Sequence, residues 1–271
     1  VTVPVLQAIP YCGLPPSPGE LLSRFNLDPV LMGALLAFTI SQVLSVRATR
    51  LRAYAVCGWL VAGAALLSPL CALSVSLFSA RIGQHMILLL IAAPLIALGW
   101  PKWSSGNRTL WSAAVAFMLA LWVWHMPEPY DATFTASQVY WLMHITLFGS
   151  GILLWRELVW HPRRRVGQVL LAGLLTSTQM GLLGAVLAMA RHPLFYPHFA
   201  TTQAWGLSPL QDQQLGGTLM WVPGIALFLW VSIRSLRGAW TTLERGAPAP
   251  VASAPLVENT NQHEPDPTRI S

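Results

Sequence analysis

From residue 28 onward the chain alternates between apolar stretches of about 20 residues, long enough to cross a hydrocarbon core of roughly 30 Å, and short polar or charged breaks. Seven such stretches fall at approximately 28–46, 53–73, 82–100, 109–125, 138–155, 166–190 and 213–233. Each predicts a helix, because a backbone in lipid must satisfy its own hydrogen bonds. The expected fold is therefore all-α: a polytopic membrane helix bundle with seven transmembrane helices. Pro69, Pro94 and Pro223 lie inside the runs and are expected to kink them, which membrane helices tolerate. There is no internal repeat, no heptad pattern and no separate soluble domain. The pattern divides the chain into an extracytoplasmic N-terminal segment (1–27), a transmembrane domain (28–233) and a cytoplasmic tail (234–271). After Trp240 the tail is rich in Pro, Ala and polar residues and is expected to be mostly disordered.

Composition agrees with a lipid-solvated chain. Of 271 residues 54% are hydrophobic and 10% charged, against about a quarter charged in a soluble domain. Basic residues set the orientation. Arg47, Arg50 and Arg52 lie between the first two runs, Lys102 and Arg108 between the third and fourth, Arg156 and residues 163–165 after the fifth, and Arg234, Arg237 and Arg245 after the seventh. The other side has Arg24, Arg81 and Arg191. The positive-inside rule then places the N-terminus outside and the C-terminus in the cytoplasm. A net charge of +6 needs no nucleic acid to explain it; a basic rim facing anionic lipid suffices. The opening residues carry no cleavable-signal pattern. Cys12, Cys57 and Cys71 show no CxxC spacing and read as small buried residues. Trp122, Trp124 and Trp141 on one side and Trp100, Trp103, Trp155 and Trp160 on the other read as interfacial belts.

The histidines carry candidate chemistry. His85, His125, His192 and His198 fall at or near the outer edge, and His144 lies about 9 Å in at 1.5 Å per helical residue; His161 alone falls on the cytoplasmic side before the tail. Ionisable groups inside membrane spans are unfavourable and point to function. Methionines accompany them: His85-Met86, His125-Met126 and Met143-His144 are adjacent pairs, and Met220 sits at similar depth in the last run. Neutral imidazole suits Cu, Zn, Fe and Ni, while thioether sulfur favours Cu(I). Copper, as Cu(I), is the best match, with His85, His125, His144, Met86, Met126, Met143, Met220, His192 and His198 as candidate ligands. Tyr130, Asp131, Asp212 and Gln213 are candidates to orient those ligands, although Asp212 and Gln213 could equally cap a helix. Paired histidines on facing helices would also serve a haem, and a metal transporter is a further alternative. No lysine lies in a span for a Schiff base and no nucleophile motif accompanies the histidines, so the reading is not an enzyme.

The segments "RIGQHMILLLIAAPLIALGWP", "WHMPEPYD", "WLMHITLFGSGILLW", "PLFYPHFA" and "DQQLGGTLMWVPG", in this order across roughly residues 30 to 235, resemble the multi-spanning CtaG family of assembly factors for caa-type cytochrome c oxidase. The resemblance implies a multi-pass protein of the bacterial cytoplasmic membrane that matures the oxidase at a copper step. Its implied partners are oxidase subunits and an extracytoplasmic copper donor protein. His85, His125, Tyr130, Asp131, His144, Asp212, Gln213, Gly216, Gly217, Met220 and Trp221 are the motif positions it picks out.

Overall fold

The computed structural model describes residues 9–101, 107–160 and 166–246, and among these every regular element is helical. Lys102, His161, the basic residues at 163–165 and the tail from 247 lie outside the described residues. The elements are α1 (Pro29–Ser45), α2 (Thr49–Leu67), α3 (Pro69–Ser76), α4 (Phe78–Ile87), a π-helical turn (Leu88–Ala92), α5 (Ala93–Leu98), α6 (Asn107–Trp124), α7 (Pro127–Thr135), α8 (Ser137–Val159), α9 (Val166–Ala188) and α10 (Pro209–Gly246). By length and apolarity four of the described helices can cross a membrane: α2, the continuous rod Phe78–Leu98, α8 and α9. The pair α6–α7, bent by 76°, makes a fifth if counted as one span. The last helix runs past 233 to Gly246.

Several boundaries differ from the hydrophobic pattern for local reasons. Pro69 does not kink the second run but begins a new helix. Having no N–H, it is suited to a first helical position, and the Ser68 hydroxyl caps α3 by accepting from the Leu70 amide at 3.3 Å. Asp28 caps α1 in the same way, accepting from Val30 N at 2.8 Å ahead of Pro29. Residues 127–135, expected as a loop, form α7, again with proline at its start.

The rod Phe78–Leu98 lies at the centre, against α2, α3, α8 and α10. Its π-helical turn immediately precedes Pro94, which cannot donate to the preceding turn. Neighbouring side chains bond carbonyls of the rod: Trp155 Nε1 donates to Leu89 O in the π turn at 2.7 Å, and at the C-terminal end of α5 Gln42 Nε2 donates to Ile96 O at 2.8 Å and Trp160 Nε1 to Ala97 O at 2.9 Å. Irregular backbone in lipid persists where protein groups satisfy it in this manner.

Helix α10 docks through its paired glycines. A Cβ at Gly216 would stand 2.6 Å from the Phe78 ring, and one at Gly217 would stand 2.5 Å from Ala188 N and 2.6 Å from Gly184 O. Small residues thus let α10 touch α4 on one face and α9 on the other, the close packing expected where lipid offers no hydrophobic drive between helices. The outer surface is apolar: Leu36, Phe38, Leu44, Ile145 and Leu174 are all exposed, as lipid-facing residues should be.

The cysteine expectation is corrected. Cys12 and Cys71, 59 residues apart, form a disulfide with a Cα–Cα distance of 5.4 Å, and Cys57 is free and exposed. The bridge ties the N-terminal segment across the ends of α3 and α8, where Tyr11 stacks on Tyr140 at 4.8 Å and meets Trp141 edge-on at 4.9 Å. Alkylation of the detergent-solubilised, unfolded protein is expected to label one cysteine before reduction and three after. Labelling of all three without reductant would remove the bridge.

Candidate functional site

Two buried imidazoles flank a third. His85 comes from α4, His125 from the junction after α6 and His144 from α8; they are 2%, 4% and 5% exposed. The His85 ring centre lies 5.9 Å from that of His125 and 5.5 Å from that of His144, both edge to face.

Hydrogen bonds fix which nitrogens are available. His125 Nδ1 is 2.6 Å from Leu121 O, and His144 Nδ1 is 3.1 Å from Tyr140 O, each one turn back on its own helix. A carbonyl only accepts, so both Nδ1 atoms carry their proton and both Nε2 atoms keep a lone pair. These two Nε2 atoms, and both nitrogens of His85, are buried with no hydrogen-bond partner among the described residues. A buried polar atom without a partner is unfavourable and calls for an explanation.

An ion held at about 2 Å by imidazole nitrogens puts the ring centres of two ligands roughly 5 to 6 Å apart, which is the spacing seen. As the side chains stand, no group of three or more His, Cys, Asp or Glu among the described residues is in ligating position.

The other sequence candidates separate into groups. Met86, Met143 and Met220 belong to the buried apolar core, whereas Met126 is half exposed. His192 is exposed in the segment between α9 and α10. His198 is buried apart from the three, with Nε2 2.6 Å from the Tyr130 hydroxyl and its ring edge-on to Phe134 at 5.4 Å. Tyr130 therefore supports His198. Asp131 Oδ1 has no hydrogen-bond partner among the described residues.

Asp212 and Gln213 touch backbone. The Asp212 carboxylate accepts from Phe78 N at 2.6 Å, from Ser79 N at 3.0 Å and from the Ser79 hydroxyl. It thus caps α4, which has no side-chain cap of its own. Gln213 Oε1 accepts from Leu194 N at 2.7 Å and its Nε2 donates to Leu187 O at 3.4 Å, holding the segment after α9. A carboxylate from the last helix thereby fixes the start of the helix that bears His85.

Two residues that the sequence reading did not single out matter here. Tyr140 packs its ring 4.3 Å from His144, supplies the carbonyl that orients it, and sets its hydroxyl 3.4 Å and 3.8 Å from the sulfurs of Cys12 and Cys71. Arg81, read from the sequence as an outer charge, is buried. Its Nη1 donates to Thr133 Oγ1 at 2.5 Å, and its guanidinium stacks at 4.1 Å on Phe134, 5.1 Å on Tyr130 and 5.8 Å on Tyr140. Its position four residues before His85, on the same helix face, is the signal that could have found it. A cleft of about 1140 Å³ between α1, α2, α6 and α8, lined by Leu35, Phe38, Gln42, Trp141 and Phe148, reaches His144.

The family model for the cytochrome c oxidase caa3 assembly factor matches residues 34–241. The chain belongs to that family. The match runs from α1 into α10 and so contains the three clustered imidazoles, Arg81, Asp212 and the paired glycines. No curated protein and no solved structure matches the chain.

Burial, assisted by the positive charge of Arg81, holds the His198 pKa down to about 3, against about 6.5 in an unfolded chain. The unfolded state therefore binds the extra proton first as pH falls. Stability from this residue is complete above about pH 6.5 and declines through the window from there to about 3. Acidification from pH 7 to 5 is expected to remove roughly 2 kcal/mol through this group. In His198→Gln the difference between thermal unfolding at pH 7 and pH 5 should shrink; an unchanged difference would show that His198 is not the source.

Proposed function

We propose that this protein is an assembly factor for a caa3-type cytochrome c oxidase that holds Cu(I) between His85, His125 and His144 near the extracytoplasmic face and passes it to the oxidase. The family supports the oxidase as partner. The observation that carries the copper reading is the clustering of three buried imidazoles with unpartnered nitrogens. Copper is cargo in this reading, and no turnover is proposed. Met86, Met143 and Met220 are candidate softer contacts. The exposed His192 and Met126 suit contact with an incoming copper donor protein, and His198 serves structure. Neutral nitrogen donors without a carboxylate make a site from which an ion can leave, as a carrier requires.

Seven spans with the N-terminus outside and the C-terminus in the cytoplasm of a bacterium complete the reading. The Cys12–Cys71 disulfide supports this orientation, because such bonds persist on the oxidising side of the membrane; through Tyr140 it sits at the same end as the histidines. The cleft that reaches His144 gives a segment of the oxidase a lateral approach from the bilayer. A bis-histidine haem fits less well. The His125 and His144 rings both lie within 6 Å of His85 and leave no slot for a macrocycle between one pair. A transporter would need polar groups continued through the membrane, whereas the rod beyond His85 continues as "MILLLIAAPLIAL".

Substituting His85 or His144 by Ala is expected to abolish bound copper and oxidase maturation while the protein still inserts, since neither change lowers the apolar character of its helix. His192→Ala should leave copper bound. Metal analysis of the purified variants together with oxidase activity in membranes measures both. Full copper binding by the His85, His125 and His144 variants alike would end the metal reading. A reporter active only in the cytoplasm should work when fused after Arg237 and fail within α7; the reverse would put the histidines on the wrong side.

A further inference from the structure

The surroundings of the three imidazoles include a full positive charge that copper binding does not call for. Arg81 is 1% exposed, and no carboxylate among the described residues forms an ion pair with it. Its Nη1 donates to Thr133 and its Nε has no partner. Three aromatic rings enclose the guanidinium. Tyr140 links it to the site: that ring is 5.8 Å from the guanidinium carbon and 4.3 Å from the His144 ring. Asp212 is held on the amides of Phe78 and Ser79, and Asp131 makes no bond to Arg81.

A charge walled in by rings is screened little by salt or water. Its effect on an arriving ion scales with that ion's own charge, so the factor lost by a divalent ion is the square of that lost by a monovalent one. With a separation on the order of 10 Å and an effective dielectric of about 20, the guanidinium weakens binding about tenfold for a monovalent ion and about a hundredfold for a divalent one. Neutral imidazoles supply no negative charge to offset it. Imidazoles alone would hold Zn(II) and Cu(II) well.

We propose that Arg81 is the selectivity residue of the three-histidine site, a buried cation that admits monovalent Cu(I) and turns away divalent ions. The inference rests on the copper reading above and adds to it the reason for a buried arginine without a carboxylate partner at the start of α4.

The test is the affinity of the full chain in detergent for Cu(I), under anaerobic conditions, and for Zn(II), each by competition with a chelator. Arg81→Gln is expected to raise Cu(I) affinity about tenfold and Zn(II) affinity about a hundredfold, narrowing the preference about tenfold. Arg81→Lys keeps the charge and should keep the preference. Thr133→Asp cancels the charge without removing the arginine, so it should narrow the preference even if Arg81→Gln does not fold. Equal shifts for the two ions, or none, in Arg81→Gln and Thr133→Asp would overturn the inference and leave the copper site standing. Failure of the wild-type chain to bind either ion would overturn both.

Discussion

A nitrogen lone pair buried in a membrane bundle has no water to turn to, and leaving one without a partner is unfavourable by a few kcal/mol. Elsewhere in the described bundle single buried polar atoms such as Gln84 Oε1 and His198 Nδ1 also lack partners, while backbone carbonyls at the π-helical turn and at the end of α5 are reached by indole and amide side chains from α1 and the end of α8. Against that background four imidazole nitrogens, two of His85 and one each of His125 and His144, lack partners at one spot. The rest of the molecule can be understood as the means of holding them there.

That holding is distributed along the chain. Asp212, on the last helix, caps the helix that carries His85, and Gly216 and Gly217 let that last helix come close enough to do so. His125 stands where α6 ends and the chain turns by 76° into α7, a turn prepared by Pro127. His144 is aimed by the carbonyl of Tyr140, whose ring in turn is packed under Tyr11 and the Cys12–Cys71 bridge. Change in any of these supports would be felt at the imidazoles without touching them.

Much of this was legible in the sequence. Charge-free runs of helical length placed most of the long helices to within a few residues, the last excepted, which runs 13 residues past the expected 233 to Gly246, and the set of histidines expected on one side included His85, His125 and His144. The breaks were harder to see. Residues 53–73 are apolar throughout, so nothing in hydropathy separates α2 from α3; Ser68 and Pro69 do so by capping chemistry. The central rod begins at Phe78, before its apolar run, because the polar stretch "SAR" is buried against α7 and α10. Adjacency in sequence was a poor guide to the methionines: neighbours on a helix point about 100° apart, and His125 is buried while Met126 is half exposed. Cysteines 59 residues apart leave no spacing signal. Asp212 has no local mark of its target, since a cap supplied to another helix depends on tertiary packing.

X-ray absorption at the copper edge, on the full chain loaded with one equivalent of Cu(I), tests the central claim most directly. Three imidazoles holding the ion give nitrogen scatterers at about 2.0 Å, with the multiple-scattering pattern of imidazole rings, and that signal is lost from His85→Ala, which no longer retains copper. A shell of sulfur alone, or a spectrum indifferent to His85, would contradict it.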